Sequence, residues 1–242
     1  MTKEKHSVIS NTLARRVARV QQGGARAAVL GVNDGLVSTL CLIVGLAAAG
    51  AGQEPVLMAA FAGLLAGSIS MAAGEWISVK AQVELFEGIL SDLKKEVKRN
   101  KEALIHSLTH ALASHGMPIR TAEKASRDIA KNNQHFIAIY SSQVIGLNQD
   151  ELGSPWRTAL SSFALFAVGS LVPILPWFFA SGNTAMLISI AGTALASVFV
   201  GGFVAYSSSK NLTYGAIRQL LIVILSSVVT FGIGYLFGVA IG

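Results

Sequence analysis

A carboxylate stands inside an apolar run of this chain: Asp34 lies within residues 28–50, between Asn33 and Gly35. At the centre of a lipid bilayer an ionised side chain costs at least ~2.5–3.5 kcal/mol, so such a residue ordinarily faces a bundle interior or an aqueous path. Gly31, Asn33 and Gly35 can loosen the helix and free carbonyls toward a cation. The competing reading is a structural hydrogen bond to another helix. Met71 and Glu75 are four residues apart and share one helical face. A thioether suits soft or borderline metals and a carboxylate suits hard ones, so together they can hand on a partly dehydrated transition-metal ion. The plainer alternatives are a packing role for Met71 and an interfacial Glu75, paired or hydrated. Glu102, His106 and His110 also share a face, and a His-x-x-x-His pair can bind metal. Glu84 and Glu87 form a further pair three residues apart. For both groups the alternative is a solvated helix face.

No chemistry of another kind stands out. No zinc-protease motif or phosphate-binding loop is present. All five histidines lie outside the apolar runs, so no nucleophile and base meet in the bilayer. The sequence therefore predicts no enzyme and no tightly bound cofactor.

The elements that must position these residues are membrane helices. Of the 242 residues 52% are hydrophobic and 13% charged, about half the charge of an ordinary soluble domain, and the mean hydropathy is +0.56. That excludes disorder. The single cysteine, Cys41, excludes a disulfide scaffold. Crossing a bilayer takes about 20 mostly apolar residues. Five stretches qualify, near 28–50, 56–79, 158–180, 184–206 and 217–241, the third broken by Pro173 and Pro176. Gly, Ala and Ser recur in all five, as close helix packing in lipid requires.

Charge sets the expected orientation. All 19 Lys and Arg precede the first span or lie between spans two and three or four and five. Basic residues accumulate on the cytoplasmic side, so the N-terminus is expected in the cytoplasm and the C-terminus outside. The same asymmetry accounts for the net charge of +6, and no nucleic-acid partner is implied. The first 27 residues are polar, so the first span is expected to act as an uncleaved insertion signal. Trp76, Trp156 and Trp177 fall at span ends, where an aromatic belt is expected. The predicted organisation is an N-terminal cytoplasmic segment 1–27, spans one and two in 28–79, a cytoplasmic helical domain 80–157, and spans three to five in 158–242.

The insert reads as helices. Val83, Phe86, Leu90, Leu93 and Val97 recur at helical steps, and no proline separates them from Trp76, so span two is expected to continue out of the membrane. A second helix is expected at 101–114, ended by the His115–Pro118 break. A third is expected from about Thr121, as N-cap, to Ile145, with Gly146 as C-cap. Residues 148–155 lead back to the membrane.

Three segments resemble the vacuolar iron transporter family. Gly24-Ala-Arg-Ala-Ala-Val-Leu-Gly-Val-Asn-Asp34-Gly-Leu-Val-Ser38 is similar to its first-span motif. Ser70-Met71-Ala-Ala-Gly-Glu75-Trp76-Ile-Ser78 is similar to its second, and Val172-Pro173-Ile-Leu-Pro176 to its third. The resemblance covers nearly the whole chain after about residue 20. It implies a homodimer in the lipid bilayer that moves Fe²⁺, and often Mn²⁺, out of the cytoplasm in exchange for protons. Asp34 and Met71 would line a pathway between the subunits, with Glu75 at its cytoplasmic mouth. The setting would be a bacterial inner membrane, or a vacuolar membrane in a eukaryote. The family's insert carries metal-binding glutamates and methionines. Here those positions fall at Leu93, Glu96, Leu104, Ser107 and near Tyr140, Ser141 and Val144, so only Glu96 keeps its carboxylate. The insert is therefore expected to keep its fold and dimer contact but to bind iron weakly or not at all. The alternatives are a non-transporting or regulatory protein of the same fold, or a transporter of another substrate.

Overall fold

A computed structural model describes residues 24–147, 153–208 and 210–241. The basic segment before residue 24 and most of the return segment, 148–152, lie outside the described residues. Every regular element among the described residues is helical. The helices are α1 (Gly24–Ala48), α2 (Gln53–Arg99), α3 (Lys101–Ser114), α4 (Ile119–Ala130), α5 (Asn133–Tyr140), α6 (Pro155–Ile174), α7 (Gly182–Ser207) and α8 (Leu212–Ile241). A π-helical turn, Ser141–Ile145, follows α5, and a 3-10 turn, Leu175–Phe178, follows α6. Among the described residues five helical stretches are long and apolar enough to cross a membrane: Val29–Ala48, Gln53–Arg99, Pro155–Phe178, Gly182–Ser207 and Leu212–Val239. The chain is an all-α multi-pass membrane protein. It divides into two compact units, Ser78–Ser154 and Gly23–Ile77 with Pro155–Gly242.

In the membrane-spanning unit the helices close on one another through glycine. A Cβ placed on Gly35 of α1 would overlap the Phe166 carbonyl of α6, and one on Gly169 of α6 would overlap the Val32 carbonyl. Gly201 of α7 and Gly215 of α8 face each other in the same way, and a Cβ on Gly234 of α8 would overlap the Gly45 carbonyl of α1. Lipid tails are as apolar as leucine, so close backbone approach and interhelical hydrogen bonds supply the association that burial supplies in water. Hydrogen bonds add to it: Thr39 donates to Ser170 Oγ at 2.9 Å, and Ser189 of α7 donates to the Pro173 carbonyl at 2.7 Å. Leu40, Ile43 and Val44 of α1, Val56 and Ala60 of α2, Ile174, Trp177, Met186 and Val223 fill the core beyond these contacts.

Local chemistry sets the helix ends. Gly50, at φ 85°, closes α1, and the Ala51 N–H reaches back to the Leu46 carbonyl at 3.0 Å. The Asn211 side chain accepts the Thr213 N–H at 3.0 Å, which caps α8 and starts it at Leu212, before the predicted Ile217. Pro173 lies inside α6, which tightens into the 3-10 turn before Phe179. That turn carries Trp177 inward. It is 1% exposed among core side chains, and its carbonyl accepts Gln53 Nε2 at 2.6 Å. Trp177 is thus a core residue rather than part of an aromatic belt, while Trp156, 68% exposed, faces outward.

The unit Ser78–Ser154 has its own core. α2 is a single 47-residue helix, as the lack of proline beyond Pro55 predicts. Its Leu93 and Val97 pack with Ile105, Leu108, Ala130, Phe136 and Tyr140. α3 has the predicted bounds. The predicted third helix is two helices. Pro118, at ψ 135°, precedes the first, so Thr121 is not its cap. Asn132, at φ −111° and ψ 113°, breaks the chain and caps α5 by accepting the Gln134 and His135 N–H groups at 2.9 and 3.2 Å. Gly146 is the predicted left-handed terminator, at φ 77°, with the Leu147 N–H on the Ser141 carbonyl at 2.8 Å.

Candidate functional site

Close packing of α1 on α6 decides which way Asp34 points. Gly31, Gly35, Leu36, Thr39 and Leu40 take the buried face of α1. Asp34 and Ser38 fall on the opposite face with Leu30 and Leu42, and all four are exposed in the single chain. The Ser38 hydroxyl donates to the Asp34 backbone carbonyl, so it is satisfied within the helix and leaves the carboxylate to other partners. No Lys or Arg pairs with Asp34 among the described residues. Asn33, next to it, is half-buried, and its Oδ1 is enclosed without a hydrogen-bond partner. Ser68 Oγ of α2 and Ser162 Oγ of α6 are likewise buried and unpartnered.

Met71 and Glu75 of α2 are both half-buried, one turn apart. Glu75 forms no ion pair among the described residues. Beside it, Trp76 meets Trp156 of α6 edge to face, with ring centroids 5.8 Å apart and planes at 61°. This ring pair joins two residues that the sequence had assigned separately to span ends. Among the described residues no three His, Cys, Asp or Glu side chains come together at a point that could hold a metal ion. Among the described residues of one chain, Asp34 and Glu75 thus belong to no cluster of three or more His, Cys, Asp or Glu side chains.

The positions of the insert where family resemblance puts ligands are packed with apolar side chains. Leu93 and Tyr140 are buried in the core of the unit, and Leu104 and Val144 pack against it. Ser107 and Ser141 turn their hydroxyls to the Ala103 and Ala138 carbonyls, at 3.1 and 2.9 Å. Glu96 is half-buried and Glu87 exposed. Glu84 pairs with Lys80 at 3.3 Å, and Glu102 with Arg127 at 3.2 Å. His106 and His110 are exposed and adjacent, their Nε2 atoms 3.3 Å apart.

Outside the membrane, Lys131 sits 2.7 Å from Asp128. Its hydrogen bond and charge hold the Asp128 carboxyl below the usual carboxylate range, and the same contact raises the Lys131 ammonium.

Five apolar helices, with an intramembrane acid on the first and a Met–Glu turn on the second, define a polytopic helical membrane protein of a recognisable kind. Residues 25–235 match the family model described as the VIT family. The chain is 30% identical over 216 residues to the "Vacuolar iron transporter" of Acanthamoeba castellanii, covering 88% of this chain and 78% of that protein. It is 30% identical over 230 residues to "Vacuolar iron transporter homolog 1" of Oryza sativa subsp. japonica, covering 92% and 76%. To "Vacuolar iron transporter 1" of Tulipa gesneriana it is 27% identical over 214 residues, covering 85% and 84%. The chain belongs to the VIT family.

Proposed function

We propose that this protein carries a divalent transition metal, Fe²⁺ and also Mn²⁺, across a membrane out of the cytoplasm in exchange for protons. The observation that carries the reading is the outward exposure of Asp34 on a span of a VIT-family chain. A carboxylate facing lipid alone would be costly. A second copy of the chain laid against this face of α1 would take it out of lipid and enclose a polar seam in which water or the transported cation meets two Asp34 carboxylates, with Met71 and Glu75 of α2 as further donors. The homodimer is thus the transporting unit.

In this mechanism Glu75 collects the cation at the cytoplasmic end and Met71 and Asp34 pass it on. The thioether favours a borderline metal over Mg²⁺ or Ca²⁺, and the carboxylate supplies charge. A metal ligand must be deprotonated, so a proton and a cation compete for Asp34, and exchange follows from that competition. The basic loops support a cytoplasmic N-terminus and an external C-terminus. On this reading the protein lies in a bacterial inner membrane, with the vacuolar membrane as its eukaryotic counterpart. The apolar filling of the insert supports a transporter whose cytoplasmic unit no longer traps iron through glutamates.

The test is Fe²⁺ and Mn²⁺ uptake into proteoliposomes under an imposed pH gradient, with wild type beside Asp34→Asn. Gradient-dependent uptake lost in the variant is expected. No flux of either ion through folded wild type would overturn metal–proton exchange and leave another substrate or a regulatory role.

A further inference from the structure

His106 and His110 lie one turn apart on the exposed side of α3, at the edge of a depression of about 430 Å³ that Glu102, Glu123 and Arg127 also line. Their Nε2 atoms are 3.3 Å apart and their ring planes cross at 60°. Two imidazole nitrogens, each about 2.0–2.1 Å from one tetrahedral cation, are separated by about 3.3–3.4 Å. In the metal-free protein one Nε2–H donates to the other Nε2 across this distance, and a cation that displaces that proton would find the two nitrogens at the spacing it imposes. We propose that His106 and His110 form a two-histidine site for a borderline divalent cation, with Zn²⁺ as the simplest occupant. Imidazole suits Zn²⁺, Cu²⁺, Ni²⁺ and Fe²⁺, whereas Mn²⁺ prefers oxygen ligands; the site uses none of the residues of the Asp34 region and does not rest on the transport reading.

No third His, Cys, Asp or Glu converges on the pair among the described residues, so water completes the shell. The reason lies next door. Glu102 is one turn before His106, but Arg127 holds its Oε2 at 3.2 Å and Glu123 Oε1 at 3.4 Å. The guanidinium both occupies the nearest carboxylates and places a positive charge beside the site. Its removal frees Glu102 on the same helical face as the two imidazoles.

The experiment is calorimetric titration of Zn²⁺ into the full-length protein in detergent micelles. The wild type, His106→Ala/His110→Ala, His106→Gln/His110→Gln, Arg127→Gln and Asp34→Asn are compared after circular dichroism has shown each to be folded. Both histidine double variants are expected to lose one Zn²⁺ per chain, and Asp34→Asn to retain that equivalent. Arg127→Gln is expected to bind it several-fold more tightly. A wild type without Zn²⁺ binding, an equal stoichiometry in the histidine variants, or unchanged or weaker binding in Arg127→Gln would overturn the site as described.

Discussion

Thr39 on the first helix donates its hydroxyl to Ser170 Oγ on the sixth at 2.9 Å, and Ser170 in turn donates to the Gly35 carbonyl at 3.3 Å. This bond pair fastens the helices where Gly35 and Gly169 admit no side chain. It thereby fixes the rotation of α1 and turns Asp34, one residue before Gly35, to the outer face. The orientation of the acid is set by the packing opposite it.

If that outer face meets a second copy, residues along it come close across a dimer axis. Ser38→Cys in a Cys41→Ala background is expected to give a disulfide-linked dimer under mild oxidation in membranes. Phe203→Cys, at a 68% exposed site on α7, serves as the control and is expected to stay monomeric on a denaturing gel. Equal cross-linking at both positions would remove the support for a specific seam at α1.

Gly35→Ala should be disruptive although it adds one methyl group, because the new carbon overlaps a backbone carbonyl that cannot rotate away. Overpacking of this kind costs about 1–3 kcal/mol. Gly88→Ala, on the solvent-facing part of α2 where nothing lies within 4 Å, should instead stabilise by about 0.5–1 kcal/mol, as alanine is the better helix former. Thermal melts in detergent compare the two, and the expected shifts have opposite signs.

The insert offers two contrasting substitutions. Leu93→Ala opens a cavity in its apolar core and should destabilise the fold by about 2–5 kcal/mol. Glu96→Gln, at the one position that keeps the family's carboxylate, should leave metal uptake unchanged within assay error. Loss of uptake in Glu96→Gln would restore an iron-handling role to the insert.

Asn132→Ala removes the acceptor for two N–H groups at the start of α5 and should cost about 1 kcal/mol. Hydrogen exchange at Gln134 and His135 should rise more than exchange in α3, since only the first turn of α5 loses its cap.

The Asp128–Lys131 contact makes the stability of its helix depend on pH. The carboxyl is lowered in the folded state, so its contribution is present above the unfolded carboxyl range and lost as pH falls through the folded value. The ammonium is raised, so its contribution is present below its unfolded value and lost as pH rises through the folded one. Asp128→Asn should therefore lower the melting temperature slightly at pH 7 and not at pH 2, and added salt should erase the difference because both groups are exposed.

Much of this protein could be read along the chain. Apolar runs long enough to cross a bilayer mark five helices, because lipid leaves backbone polar groups no partner but one another. The absence of proline after Pro55 makes α2 continuous, and Gly146 ends its segment through the left-handed turn that glycine permits. Asp34, Met71 and Glu75 stand out by type and spacing alone. The rest depends on neighbours distant in sequence. Trp177 looks like a belt residue until a 3-10 turn carries it into the core, and Asn132 divides a helix that periodicity draws as one. That Leu93 and Leu104 share an apolar core depends on Phe136, Tyr140 and Val144, which α5 and the turn after it bring from far along the chain. Residue type and period determine which faces are apolar. Only the close contact of specific backbones determines which way the remaining polar groups must point, since that contact fixes each helix's rotation about its own axis.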